Sequence, residues 1–441
     1  MRLTNRHPKS SPFVTRLNQC VHLKFSVIWE SKDRREKTSM TERLDNARIL
    51  IYSHDSFGLG HLRRCRSIAH SLVRQYKGVS VLILSGSPII GSFDFKARVD
   101  FVRIPGVIKL KDGDYTSLGL HIDLEQTMTM RESIIYHTAA SFKPDIFVVD
   151  KEPTGLKGEV VSTLKMLHEL GTINILGLRD IMDDPAALKI EWERKQVQPV
   201  LENLYHDIWV YGLKQMGSPV DSLDLPKTIT DKISHTGYLH REVPNEHHWV
   251  SPVTLDKPYI LVTPGGGGDG VEMVNWVIRA YETDNNIIHP AIIVTGPFMP
   301  QADQQEFNER CEKLDNVQII TFDPHFEFLM DQAIGIVAMG GYNTFCEILS
   351  LDKRALIVPR SIPRLEQLIR ASRAVGLGLV SMLDPEKGLN PAIMAKALHH
   401  LPNQALPSEN AIDGLLDGHM LIAQLIFDHL QSPVNLDSKT A

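Results

Sequence analysis

From Arg48 onward, short runs rich in Val, Ile and Leu alternate with longer segments whose apolar positions recur every three to four residues. The first kind has the length and β-branched content of a buried strand and the second the period of a one-faced helix. Their alternation marks βαβ units around a mostly parallel sheet, so the fold class is α/β. In the first half the pattern predicts strands at Arg48–Ser53, Val79–Ser85, Asp100–Ile104, Asp145–Asp150, Thr172–Leu178 and Asp207–Tyr211. A second series follows at Tyr259–Thr263, Ala291–Thr295, Val317–Phe322, Gly335–Met339 and Ala355–Pro359. Between them, Pro244, Asn245, His247, His248, Pro252 and Pro258 resist regular structure and read as a linker.

Two similar domains are therefore expected, residues 46–237 and 257–410, joined by residues 238–256. In the tail, residues 411–431 place Leu415, Leu416, Met420, Leu421, Ala423, Leu425 and Ile426 at helical spacing, which predicts a packed final helix. Residues 432–441 are polar, contain Pro433 and are expected to fray. The first 45 residues are basic and aperiodic, and Met40 is followed by Thr41-Glu42-Arg43 and then the first good strand, so the functional start is expected at Met40. That segment reads as a disordered or misassigned extension.

Composition narrows the classes. With 441 residues, 43% of them hydrophobic and 23% charged, the chain can bury two ordinary cores. A net charge of −6 supplies no global field for nucleic acid, which is excluded as an expected partner. Cys20, Cys65, Cys311 and Cys346 are scattered without a C-x-x-C pair, which fits reduced thiols in a cytoplasmic protein and neither a disulfide frame nor a zinc site. The strongest apolar runs have strand length, so no membrane span is expected, while contact with a membrane surface stays compatible with the sequence.

Chemistry concentrates where strands end. The first strand runs into Ser53-His54-Asp55-Ser56-Phe57-Gly58-Leu59-Gly60-His61, and Gly58 and Gly60 allow another molecule close to the main chain at the edge where open α/β sheets bind ligands. The run is not G-x-G-x-x-G, because Arg63 stands where the third glycine would be. His61 at that edge has the ordinary pKa of a general base; its bland alternative is a histidine bonded to backbone at a helix start. A base histidine needs a carboxylate to hold its tautomer. Asp150, at the end of another predicted strand, is the first choice, with Asp55 and Glu152 as further candidates; Asp150 could instead cap a helix near Thr154.

In the second half a strand leads into Pro264-Gly265-Gly266-Gly267-Gly268-Asp269-Gly270, whose amides can cradle an anion. Further on, a strand ends, Gly340 and Gly341 turn the chain, and Asn343 or Thr344 is expected to cap a new helix whose first amides suit a diphosphate. Glu347, a turn later, can accept from vicinal ribose hydroxyls, or serve only the helix dipole. Glu366 and Gln367 could bind sugar hydroxyls, and Arg360 or Arg364 could offset phosphate charge. The pair Asp183-Asp184 before Pro185 reads as a helix start, and no metal ligand set or cofactor is expected.

Over roughly residues 48–430 the chain resembles GT-B glycosyltransferases, in particular the MurG-like and UDP-glycosyltransferase group, and is similar to a bacterial glycosyltransferase family of that kind. The resemblance is carried by G-x-N-[ST]-x-x-E, matched by Gly341, Asn343, Thr344 and Glu347, and by the acid-Gln pair Glu366 and Gln367. It implies two Rossmann-like domains with a cleft between them, a nucleotide-diphosphate sugar, by family habit a UDP-sugar, on the second domain and an unidentified acceptor on the first. It also implies metal-independent hexosyl transfer with His61 as base and Asp150 as its partner. Retaining members carry a glutamate eight residues before the ribose-binding one; here that position is Met339, which points to inversion. The run from Gly58 to Cys65 also resembles the opening loop of nucleotide-sugar hydrolases of the same fold, and an epimerase or a non-catalytic nucleotide-sugar-binding protein are further alternatives.

Overall fold

The computed structural model describes residues 44, 46–54, 60–109, 115–221, 223–243, 257–266, 268–323 and 325–431. The expected extension before residue 44, most of the linker, Asp55, Gly58, Gly267 and the tail beyond residue 431 lie outside the described residues.

The first domain is built on β1 (Arg48–Ser53), β2 (Ser80–Ser85), β3 (Val99–Arg103), β6 (Ile146–Asp150), β7 (Ile173–Arg179), β8 (Asp207–Tyr211) and β9 (Ile233–His235). They form one parallel sheet in the order β3-β2-β1-β6-β7-β8-β9. A small antiparallel hairpin, β4 (Val107–Lys109) with β5 (Tyr115–Ser117), stands apart from that sheet. The second domain repeats the plan with β10 (Ile260–Thr263), β11 (Ala291–Val294), β12 (Val317–Ile320), β13 (Gly335–Ala338), β14 (Ala355–Ile357) and β15 (Ser381–Met382) in the order β12-β11-β10-β13-β14-β15.

Strand order decides where ligands go. In each sheet the winding reverses beside the first strand, between β1 and β6 and between β10 and β13, and such a switch point opens a crevice at the strands' carboxyl ends. At those carboxyl ends lie Asp150, the last residue of β6, the glycine run after β10 and Gly340-Gly341 after β13, while His61 sits in the first turn of the helix that follows β1. The strands are apolar along nearly their whole length because helices cover both faces.

The domains share a core. One apolar cluster runs from Ile49, Ile51 and Leu62 through Tyr238 and Leu239 into Tyr342, Phe345 and Leu349, and the Tyr238 and Phe345 rings meet edge-on at 5.2 Å. Nearly every expected strand is present. The hairpin, β9 and β15 were not anticipated, being only two or three residues long and lacking a readable period.

The tail needs a correction. Residues 413–416 are turns, with Gly414 at φ +74°, Asp417 pairs antiparallel with Leu239, and the final helix begins at Gly418 and ends at Gln431. It also crosses back to the first domain, where the Tyr76 hydroxyl donates to the Ala423 carbonyl at 3.0 Å and Ser67 Oγ lies 2.9 Å from His419 Nε2. Among the described residues no helix is long and apolar enough to cross a membrane.

Candidate active site between the two domains

The helix Gly60–Gln75 points its first turn at the end of β6. Leu62, Cys65, Ile68, Ala69 and Leu72 are buried at three- and four-residue spacing, which fixes its rotation and turns His61 and Arg64 toward Asp150. His61 Nδ1 lies 2.6 Å from Asp150 Oδ2. Arg64 completes the arrangement, donating from Nε to Asp150 Oδ1 at 2.8 Å and from Nη2 to Oδ2 at 2.7 Å. Sequence reasoning missed Arg64, since an arginine in an amphipathic helix reads as a solvated group. In the fold it is almost fully buried, with the rings of Tyr211 and Tyr342 at 5.9 and 5.5 Å.

Charge sets the tautomer. Burial pushes the Asp150 carboxyl up, but the Arg64 guanidinium and the His61 ring outweigh it and hold it below the usual carboxylate range. An ionised Asp150 only accepts, so Nδ1–H of His61 donates to it and Nε2 is left as an acceptor. Burial pushes His61 down to about 3, opposed by Asp150 and reinforced by Arg64 and Lys151. The imidazole is thus neutral at physiological pH, and its ring keeps 18% side-chain exposure. His54 lies edge-on to it at 5.7 Å.

The other candidates for partnering His61 fall away among the described residues. Glu152 pairs with Lys195 at 2.9 Å. Asp150 caps no helix: the next α-helix begins at Val161. Asp184 does start a helix, accepting from the amides of Ala186 and Ala187 at 3.0 and 3.2 Å.

On the facing wall, Gly265, Gly266 and Gly268 line an exposed loop between β10 and the helix Val271–Thr283, with Gly265 at φ +79°. Gly340 has φ +78°, and a Cβ there would meet Ile357 Cγ2 at 2.8 Å. The helix Tyr342–Ser350 begins directly after, so its free amides point over the carboxyl ends of β10 and β13. The expected side-chain cap is not made: Gly341 is the N-cap, and no side chain caps that end. Asn343 reaches across the cleft, donating from Nδ2 to the Gly60 carbonyl at 3.1 Å and accepting from Arg241 Nη2 at 3.2 Å. A tertiary partner has outcompeted the local one.

Glu347 is buried, and its Oε1 lies 2.8 Å from Arg63 Nη2, which also serves Glu327. Burial raises the Glu347 pKa, and Arg63 offsets part of the rise. Glu366 and Gln367 open the helix Glu366–Gly376 as expected. Arg360 Nη2 donates to Glu366 Oε1 at 2.9 Å and the Arg360 amide to Gln367 Oε1 at 3.2 Å, while Glu366 Oε2 is buried without a partner. Arg364 faces the first domain, at 3.5 Å from Asp183 and 3.8 Å from Glu191.

Two further features were not legible. Arg370 and Asp180, both almost fully buried, join the domains at 2.7 Å, with Tyr238 donating to Asp180 at 2.8 Å. Phe298 and Phe322 stand at the carboxyl ends of β11 and β12 with 42% and 59% exposure, and the Phe298 amide donates to the Gly266 carbonyl at 2.9 Å. Exposed ring faces beside an amide-rich loop suit a flat base stacked next to a phosphate.

Residues 259–412 match the family model of the glycosyltransferase family 28 C-terminal domain. The matched span coincides with the second domain. That match assigns the chain to the glycosyltransferases, and solved structures bear out its fold as GT-B, two Rossmann-like domains. The kitacinnamycin glycosyltransferase is similar at 15% identity and TM-score 0.60, over 87% of this chain and 99% of that one. MurG from Acinetobacter baumannii is similar at 13% identity and TM-score 0.54, over 87% and 99%. A UDP-GlcNAc 2-epimerase from Neisseria meningitidis, solved with UDP-GlcNAc bound, is similar at 13% identity and TM-score 0.54, again over 87% and 99%. No curated protein matches the chain.

Proposed function

We propose that this glycosyltransferase moves a hexosyl group from a nucleotide-diphosphate sugar, a UDP-sugar in the first instance, to an acceptor hydroxyl, with inversion and without a metal ion. The observation that carries the reading is the 2.6 Å contact between His61 Nδ1 and the ionised Asp150, which leaves Nε2 free at the mouth of the sheet. In this mechanism Nε2 takes the acceptor proton as the acceptor oxygen bonds to the anomeric carbon. The bond from that carbon to the diphosphate oxygen breaks, and its electron pair leaves with the diphosphate. Asp150 stabilises the imidazolium, and Arg64, which touches no substrate, holds Asp150 in place.

The donor lies on the second domain in this reading. The amides at Gly340, Gly341, Asn343 and Thr344 and those of the run Gly265 to Gly268 receive the diphosphate, supported by the positive end of the Tyr342–Ser350 helix. Glu347 takes the ribose, Glu366 and Gln367 the sugar, and the exposed Phe322 ring the base. Gly60 opens the helix that carries His61, on the acceptor wall, and Arg364 closes the cleft against Asp183.

The test is His61→Ala in the full chain, with donor affinity from calorimetry and turnover from nucleoside diphosphate release. Turnover should fall at least a hundredfold while affinity for UDP stays within about twofold; an equal loss of both, or no loss of turnover, overturns the reading. Hydrolysis is the second reading, because the partly open ring of His61 would serve water equally well. Free sugar formed from the donor with no acceptor present, at the rate seen with acceptor, would favour it.

A further inference from the structure

Most charges lining the cleft are matched. Arg64 answers Asp150, Arg370 answers Asp180, Arg360 answers Glu366, Arg364 faces Asp183, and Lys195 lies 2.9 Å from Glu152 and 2.6 Å from Glu191. Among the described residues lining the cleft, Arg241 is held by hydrogen bonds alone, and two cations, Lys151 and Arg179, have neither an ion pair nor a side-chain hydrogen bond. Lys151 follows β6 directly, at φ +69°, and Arg179 ends β7, the next strand. The Lys151 amide donates to the Gly177 carbonyl at 2.7 Å, so both residues sit at one carboxyl edge beside Asp150 and His61. Neither side chain makes an ion pair or hydrogen bond among the described residues, and Arg179 Nε is buried without a partner.

Burial, and after it neighbouring positive charge, disfavours the charged form of both groups. Burial and then the charges of Arg179 and Arg364 push Lys151 down to about 8; burial and then Arg64 and Arg370 push Arg179 down to about 10. Folding alone gains nothing from two unmatched cations in a crevice, so negative charge from a ligand is what would relieve them.

We infer that Lys151 and Arg179 form an anion subsite, which takes a carboxylate or phosphate carried by the acceptor close to the hydroxyl that His61 deprotonates. The inference rests on the glycosyl-transfer reading and deepens it by naming the acceptor's chemical class. Both cations belong to the wall that holds His61, across from the glycine loops that receive the donor. The Arg179 guanidinium offers a planar fork for two anion oxygens and Lys151 a point charge beside it. A bound anion would also offset the Lys151 charge that depresses His61, so the correct acceptor would raise the basicity of the group that activates it.

The experiment titrates the full-length protein, saturated with UDP, with inorganic phosphate, glucuronate and, as a neutral control, glucose, by calorimetry. Phosphate or glucuronate should bind and glucose should not; which anion binds more tightly tells phosphate from carboxylate. Lys151→Gln and Arg179→Gln should each weaken the anion at least tenfold with UDP affinity changed less than twofold, whereas Lys151→Arg and Arg179→Lys should retain binding within about threefold. Absence of anion binding to the wild-type protein, or binding untouched by the two Gln substitutions, overturns the subsite. So does an equal loss of UDP affinity, which would assign the two cations to the donor. If UDP fails to bind the wild-type protein, the donor reading fails instead, and the same anion titrations on the free protein still judge the subsite.

Discussion

Asp150 is where the stability of the cleft and its chemistry meet. It accepts from His61 Nδ1, Arg64 Nε and Arg64 Nη2 at 2.6, 2.8 and 2.7 Å. In Asp150→Asn one oxygen becomes an amide that cannot accept, and Arg64, 2% exposed, keeps its charge without a counter-ion. Removing one partner of a buried pair costs about 3–5 kcal/mol, of which the Tyr211 and Tyr342 ring faces can offset about 1–2 kcal/mol. A net loss of about 1–4 kcal/mol is expected, read from urea unfolding. Arg64→Met in the same chain removes the stranded charge, so the double variant should recover most of that loss, giving a favourable coupling of about 1–3 kcal/mol between the two sites. Turnover should not recover with it. His61 would lack the acceptor that fixes its tautomer and stabilises its cation, a change that costs about 10,000-fold in comparable histidine–carboxylate pairs, or about 5 kcal/mol of barrier. Nucleoside diphosphate release measures that separately from stability. A stability loss under about 1 kcal/mol for Asp150→Asn, or a double variant turning over within tenfold of wild type, would refute the reasoning.

Three further outcomes follow from the same geometry. Gly340→Ala places a Cβ against Ile357 at a positive φ, so urea unfolding should show a loss of about 1–2 kcal/mol and calorimetry a weaker affinity for UDP. Glu347→Gln should weaken UDP by roughly tenfold or more, the worth of a charge-assisted hydrogen bond, and leave 2′-deoxy-UDP nearly unchanged; equal loss for both nucleotides would remove Glu347 from the ribose. On acidification the fold should lose stability as pH falls from about 6.5, because burial holds His61 and His419 down to about 3, His70 to about 4 and His54 well below its ordinary value. The unfolded chain binds those protons first, so each of His54, His61 and His419 contributes a slope of up to about 1.4 kcal/mol per pH unit down to its folded pKa, and the more open His70 less; urea midpoints that stay flat between pH 6.5 and 4 would contradict it.

The strands, their alternation with helices and the two-domain division could be read from the chain because each strand of four residues or more carries its own apolar pattern. The pairing of His61 with Asp150 was also within reach, since parallel strands put their carboxyl ends at one edge whatever lies between them, here 89 positions. What could not be read was any charged residue whose meaning depends on a distant partner. Arg64 lies 86 positions from Asp150 and Asp180 lies 190 from Arg370; in a local window each is an ordinary polar residue on a helix or at a strand end. Asn343 shows the same limit from the other side, because its local pattern favours a helix cap and its tertiary surroundings supply two better partners.

That failure bears on how the cleft works. Asn343 and Glu347, two residues expected to face the donor, spend their side chains on Gly60, Arg241 and Arg63, while Arg370 pairs with Asp180 across the domains and also donates from Nη1 to the Gly340 carbonyl at 3.0 Å. A donor that claims the ribose and phosphate positions must therefore exchange some of these contacts for its own. Arg63 can give up Glu347 and keep Glu327, at the cost of one shared nitrogen, so the exchange needs no unpaired cation. In the proposed reading the residues that would grip the donor are among those that latch the domains, so donor binding on one wall would be coupled to the position of the other, which carries His61.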